Sequence, residues 1–150
     1  MTAIKEQLYQ LCGEYINNRE AEIKKVIAEA QDAAANETKS SAGDKYETGR
    51  EVMQQEIDLN LGRLNELKKL RTVMEQILHT RSGDAVVPGA VVYTSNGNFY
   101  IAVSAGQLQV AGISYYAVSA ASPIGRKMVG QKAGHVFELN GKSFTIKDIE

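Results

Sequence analysis

The stretch HTRSGDAVV, His79 to Val87, is where this chain changes character. Upstream, apolar residues recur every three or four positions. Downstream, they gather in short runs rich in Val, Ile, Tyr and Phe. Ser82-Gly83 predicts a helix stop, and β-branched residues take over at once. The halves therefore belong to different structural classes, helical over 1–82 and sheet-forming over 83–150.

Beyond the stop come AVVYTS, NFYIAVS, QLQVAG, ISYYAVS, HVFEL and SFTIKDI, separated by Gly, Asn and Ser. Asn96-Gly97 and Asn140-Gly141 predict tight hairpin turns, since such turns need positive φ at both central residues. Between the fourth and fifth runs, PIGRKMVGQKAG (Pro123 to Gly134) predicts one short helix. It has Pro near its start, Ile124, Met128 and Val129 on one side, and Gly130 as its stop. The second half reads as a small, mostly antiparallel sheet with one short helix, an α+β globule.

Working back from His79, a helix is expected over about 46–80. Its seam is Met53, Ile57, Leu61, Leu64, Leu67, Leu70 or Arg71, Met74 and Ile77 or Leu78. A second is expected over about 3–32, on Ile4, Leu8, Leu11, Tyr15, Ile16, Ile23, Val26, Ile27 and Ala30. Neither narrow seam can be buried alone. The two should pair antiparallel as a coiled-coil hairpin through the polar stretch NETKSSAGDKYETGRE, Asn36 to Glu51. A helix of that length, roughly 50 Å at 1.5 Å per residue, should project in part into solvent.

Composition excludes several classes. The net charge of -1 gives no case for general nucleic-acid or membrane binding. The single cysteine, Cys12, rules out an internal disulfide and fits a reducing compartment. The N-terminal residues lack the pattern of a signal peptide, and no run approaches a membrane span, so a cytoplasmic location is expected.

Few residues offer chemistry. Cys12 has no histidine near it in sequence, which favours a structural or surface role over a nucleophilic one. His79 and His135 have no partners at zinc-ligand spacing. Phosphate-binding glycine loops are absent. Tyr93, Tyr100, Tyr115 and Tyr116 lie in strand patterns without interleaved Lys or Arg, which favours sheet packing over base stacking. Lys24-Lys25 and Lys68-Lys69-Arg71 could touch RNA, although a solvated helix face accounts for them. Asp44 and Glu47 remain. Three apart at a helix start, they fit a capping box, with Asp44 as N-cap and Glu47 at N3. They also fit a carboxylate pair that completes a metal site inside another protein, since Mg²⁺ is usually held by one or two carboxylates plus waters and phosphates.

The order of these parts resembles the bacterial Gre transcript-cleavage factors. The residues carrying the resemblance are Gly43, Asp44 and Glu47 at the hairpin tip. In the second half they are Val118-Ser119-Ala120-Ala121-Ser122-Pro123-Ile124-Gly125-Arg126 and Val129-Gly130-Gln131-Lys132-Ala133-Gly134-His135-Val136-Phe137-Glu138. The latter follow the family pattern S-P-[IL]-[AG]-[RK], a short helix ending in glycine, then G-[DH]-x-[VF]-E before a final hairpin.

The resemblance implies an FKBP-like second domain that docks on RNA polymerase, with Ser122, Pro123 and Ile124 on the docking surface. It implies a hairpin that enters the polymerase secondary channel and stimulates cleavage of backtracked RNA. Asp44 and Glu47 would be donated to the polymerase active site. They would act there on Mg²⁺ shared with the polymerase and on an attacking water, near the nascent RNA. The protein would have no cofactor of its own, would not be an enzyme alone, and would be a monomer. At the tip the chain reads Gly43-Asp44-Lys45-Tyr46-Glu47-Thr48-Gly49, where the family reads G-D-L-x-E-N-A. This leaves two alternatives: a non-cleaving Gre-like regulator of RNA polymerase, or a coiled-coil adaptor for another partner.

Overall fold

A computed structural model describes the backbone of residues 1–37 and 43–150, with side chains at 1–36 and 49–150. The architecture is α+β. Two long helices, α1 (Ala3–Glu37) and α2 (Gly43–Leu78), precede six strands and a short helix. The strands are β1 (Val91–Thr94), β2 (Gly97–Ala102), β3 (Gly106–Val110), β4 (Ile113–Ser119), β5 (Val136–Leu139) and β6 (Lys142–Ile149). Helix α3 (Pro123–Met128) lies between β4 and β5. The chain divides into two compact units, one of Met1–Tyr15 with Arg71–Glu150 and the other of Ile16–Leu70.

Both long helices reach further into the connection than their apolar seams predict. α1 continues five residues past position 32 through the strong helix formers Ala33, Ala34 and Ala35. α2 starts at Gly43 rather than about 46. In the Ile16–Leu70 unit, Ile23, Ile27 and Ala30 of α1 and Ile57, Asn60 and Leu67 of α2 are buried. Only these two helices make up the described part of the unit, so their seams bury each other. The link from residue 37 to residue 43 spans at most roughly 20 Å, against roughly 50 Å of helix, so full-length pairing requires an antiparallel arrangement.

The α2 seam differs from expectation at one step. Leu61 is 50% exposed and Asn60, at 2%, takes its place. The spacing Ile57, Asn60, Leu64, Leu67 keeps a strict three-four alternation, which Leu61 would break. Asn60 is satisfied by its own helix: its amide donates to the Glu56 carbonyl at 2.8 Å, and its oxygen accepts from Arg63 at 3.2 Å.

At its other end α2 stops at Leu78, two residues early. The Thr80 hydroxyl donates to the Gln76 carbonyl at 2.9 Å, and the amides of His79 and Thr80 bond three residues back. These bonds take up carbonyls that a continuing helix would have used.

In the other unit the strand order is β3-β4-β2-β1-β6-β5. All neighbours are antiparallel except β2 and β4, which run parallel with Phe99 beside Tyr116 and Ile101 beside Val118. The sheet is therefore mixed. Chain that leaves β2 passes to the edge as β3 and returns as β4 between the two. Asn140 and Gly141 take φ of 52° and 77°, the expected tight turn. Asn96-Gly97 does not form that turn. The two loop residues are Ser95 and Asn96, and Gly97 already pairs with Thr94. The Thr94 side chain closes this loop, donating to the Gly97 carbonyl at 2.7 Å and accepting from the Asn96 amide at 3.1 Å. The positive-φ pair that sequence reading missed is Ala111-Gly112, at 53° and 78°, between β3 and β4.

Alternation along the strands gives the sheet two apolar faces. Val92, Phe99, Ile101, Phe144 and Ile146 form one core with Met128 of α3 and Phe137 of β5. Phe137 and Phe144 stack at 5.0 Å, and Phe99 meets Phe144 edge-on at 6.1 Å. Tyr100 and Tyr115 are fully buried on the opposite face, and Tyr93 meets Tyr115 edge-on at 6.3 Å. Tyr100 lies close to Tyr9 and Cys12 of α1, and the Val103 backbone hydrogen-bonds the Cys12 sulfur. Thus the first turns of α1 cover the face that α3 leaves open. Among the described residues, no helix is long and apolar enough to cross a membrane.

Candidate functional site

The expected site residues fall in the two units separately. Asp44 and Glu47 belong to the first two turns of α2, at a spacing that puts two positions on one side of a helix. Since the helix begins at Gly43, Asp44 stands inside it and is not its N-cap. The side chains of both acids lie outside the described residues, as does the backbone of residues 38–42 within the stretch expected to form the tip, Asn36 to Glu51.

Ser122, Pro123 and Ile124 open α3 in the sheet-bearing unit, and local chemistry explains them. Ser122 is the N-cap, with extended backbone (φ -64°, ψ 158°). Its Oγ accepts from the Gly125 amide at 3.1 Å and donates to the Ser119 carbonyl at 2.6 Å. Pro123 follows at the first helical position, where its fixed φ suits the helix and its missing N–H is no loss. Ile124 packs partly against the main core. Pro123 is exposed, while Ser122 and Ile124 are half-buried, so the trio offers a partner one full side chain and two edges.

Gly125 completes this corner. A Cβ there would overlap the Ser119 carbonyl and crowd Ser122 Oγ at 2.9 Å and the Ala120 carbonyl at 3.0 Å. Of the alanine or glycine that the family pattern allows, this backbone accommodates glycine. Gly130 (φ 84°) ends the helix as expected. The loop after it is then tied to the start of the domain: Val86 donates to the Gln131 carbonyl and Gly130 to the Val86 carbonyl, both at 2.8 Å.

The remaining candidates take structural roles. Cys12 is fully buried, and burial pushes its thiol up to about 12. That suppresses the thiolate a nucleophile needs. His79 is exposed, while His135 stacks on Phe137 at 6.1 Å. Among the described residues no three His, Cys, Asp or Glu side chains converge as a metal site. The basic clusters lie on exposed helix faces. Lys24 pairs with Glu20 at 2.8 Å and Lys69 with Glu66 at 2.9 Å, local pairs of small energetic weight.

One feature escaped the sequence reading. A groove of about 550 Å³ opens where α1 begins, walled by Thr2, Lys5, Ile77, Ser82 and Glu150 among others. Its sequence signal is a lysine on the apolar stripe Lys5, Leu8, Cys12.

No family model and no curated protein matches the chain.

Proposed function

We propose that the protein is an RNA-polymerase-binding transcription elongation factor of the Gre kind. Its paired helices enter the secondary channel and stimulate Mg-dependent cleavage of backtracked RNA. The observation that carries the reading is the order of parts on one chain. Two long helices come first, the second opening on Gly43-Asp44 with Glu47 three residues on. A sheet unit follows whose short helix is capped by Ser122-Pro123-Ile124 and leads through Gly130 and Gly134-His135 into the β5–β6 hairpin. A six-stranded sheet with one short helix packed into a single core also supports an FKBP-like assignment.

In this reading Asp44 and Glu47 act as a pair. Their spacing on α2 suits two carboxylates offered from one side of a helix, within the one or two that a Mg²⁺ site takes from protein. The shared Mg²⁺ would polarise the scissile phosphate and activate water. This chain's own part is to hold the two carboxylates on a paired-helix support and to dock, with exposed Pro123 and the edges of Ser122 and Ile124 against the polymerase. The protein acts as a cytoplasmic monomer, beside nascent RNA at the tip, and performs no hydrolysis alone.

The test is a stalled, backtracked elongation complex of the cognate polymerase. Adding the protein should release short 3′ RNA fragments, and Asp44→Ala should abolish release while leaving polymerase binding intact. Lys45 and Thr48-Gly49, which replace the leucine and Asn-Ala of the family tip, favour a second reading: a regulator that binds in the channel without cleaving. Binding without fragment release, unaffected by Glu47→Ala, selects that reading. Failure to bind polymerase sinks both and leaves a helical adaptor for another partner.

A further inference from the structure

We propose that the outer edge of β3 is a docking site for an extended segment of another protein, uncharged and alternating apolar with polar, which adds to the sheet as a further strand. The proposal does not rest on polymerase binding.

The first observation is which backbone groups face outward. β3 is the last strand on its side of the sheet. Ala111-Gly112, with positive φ at both residues, is a two-residue hairpin loop, so Val110 and Ile113 exchange hydrogen bonds across it. Such pairs alternate along an antiparallel ladder. Gly106 and Leu108 therefore turn their backbone polar groups towards Ala117 and Tyr115 of β4, and Gln107 and Gln109 turn theirs outward. The Ser114 carbonyl, opposite Gln109, accepts from the Asn98 side chain of β2, which agrees with the same alternation. Gly106, Gln107 and Gln109 are exposed. Two N–H donors and two C=O acceptors thus stand along one open edge, repeating about every 7 Å. An extended backbone is the partner that completes this pattern.

The second observation is charge. Edge strands are ordinarily kept from pairing by charged side chains or proline. The opposite edge follows that rule: β5 carries Glu138, and β6 beside it carries Lys142, Lys147 and Asp148. β3, with the sequence GQLQV, has neither charge nor proline. No Asp, Glu, Lys, Arg or His stands anywhere between Asp84 and Arg126, although 23% of the chain is charged. That interval holds all of β1 to β4. A charged segment arriving at β3 would lose water without meeting a counter-charge from these strands, so the edge selects an uncharged one. Depletion of charge is also what marks the core of a protein interface.

The side chains supply the alternation. Leu108 and Val110 lie on the face of Tyr115, with Ile113, 49% exposed, beside Val110. Gln107 and Gln109 lie on the other face, beside Tyr116 and Ser114, and Gln107 Nε2 donates to Ser114 Oγ at 2.8 Å. An added strand would set apolar residues beside Leu108 and polar ones beside the glutamines. A second copy of this chain is a poorer occupant. The edge is roughly 17 Å long and one strand wide, far short of the roughly 1,200 Å² that a stable dimer buries.

The test uses the full ¹⁵N-labelled chain and a blocked seven-residue peptide of alternating valine and threonine. Saturable shifts are expected at the amides of Gln107, Leu108 and Gln109. The same peptide N-methylated at every amide, which keeps the side chains and removes the donors, should bind roughly tenfold more weakly or worse. Gln109→Pro removes one outward donor at an edge position that tolerates proline, and should also weaken binding roughly tenfold. Absence of saturable shifts overturns the proposal, as do shifts clustered away from β3 or equal affinity for the N-methylated peptide. Shifts at Gln107 and Gln109 that grow with protein concentration alone would give the edge to a second copy and overturn it too. Should Gln109→Pro fail to fold, the comparison of the two peptides on the wild-type chain decides.

Discussion

Replacing Ser122 by alanine removes two bonds from one oxygen, so its cost can be worked out in parts. The lost N-cap acceptor, which holds the Gly125 amide at 3.1 Å, is worth about 1 kcal/mol. The lost hydroxyl donor to Ser119 adds about 1 kcal/mol more. No larger penalty is due, because the Ser119 carbonyl keeps the Ser122 amide at 3.1 Å. Together this is about 2 kcal/mol. In a unit of about a hundred residues that lowers Tm by roughly 10 °C. Differential scanning calorimetry of the full chain measures the shift. Two further variants separate the bonds. Ser122→Thr keeps both and should melt within about 2 °C of wild type. Ser122→Asp caps the helix but cannot donate to Ser119, and should recover about half the loss. A Ser122→Ala shift under about 2 °C would show that this corner does not depend on its cap.

Gly89→Ala should lower the urea midpoint, by roughly 1–3 kcal/mol in stability, because φ is +91° there and the added Cβ would lie 2.8 Å from Ile77 Cγ2. An unchanged midpoint would contradict that contact. Cys12 predicts alkaline sensitivity. Its folded thiol sits near 12 against an ordinary 9.0, so the unfolded chain ionises first. The contribution is intact below pH 9 and is lost as pH rises towards 12, by at most about 4 kcal/mol. Cys12→Ala should flatten the fall in denaturant stability over that window, and identical wild-type and variant profiles would rule the thiol out as its source. Asn60→Leu should raise helix stability by about 1 kcal/mol, since a polar seam residue costs stability. A lower melting temperature by circular dichroism would instead mean that the bonds to Glu56 and Arg63 support the seam.

The six strands were legible because each is a short β-branched and aromatic run between turn residues, and the α3 boundaries were legible from Pro123 and Gly130. The parallel pairing of β2 with β4 was not. Strand order depends on which edges meet, and periodicity carries no record of that. Leu11 and Cys12 both fit a step from Leu8. The choice falls to Cys12 because the sheet comes close there, with the Val103 backbone on its sulfur, and a small side chain suits the gap. Asn60 was hidden by its polarity, which its own helix satisfies. Of the candidate site, the cap at Ser122 could be read directly from Ser-Pro before an apolar residue. The groove could not, because Lys5, Ile77, Ser82 and Glu150 converge only when both ends of the chain join one unit.

That shared unit makes the helices an insertion. Residues 16–70 leave from one segment of the sheet-bearing unit and return to another. Cutting the chain at the helix–sheet boundary in sequence would strip Tyr9 and Cys12 from over Tyr100 and leave the sheet with one bare face. The inserted residues, by contrast, can change in number in evolution without removing any residue of the sheet-bearing unit. The condition is that both helices gain or lose residues together, in steps of about seven that keep each seam on the same side. The length of the insertion and the make-up of the sheet-bearing unit are thus separately adjustable in this fold.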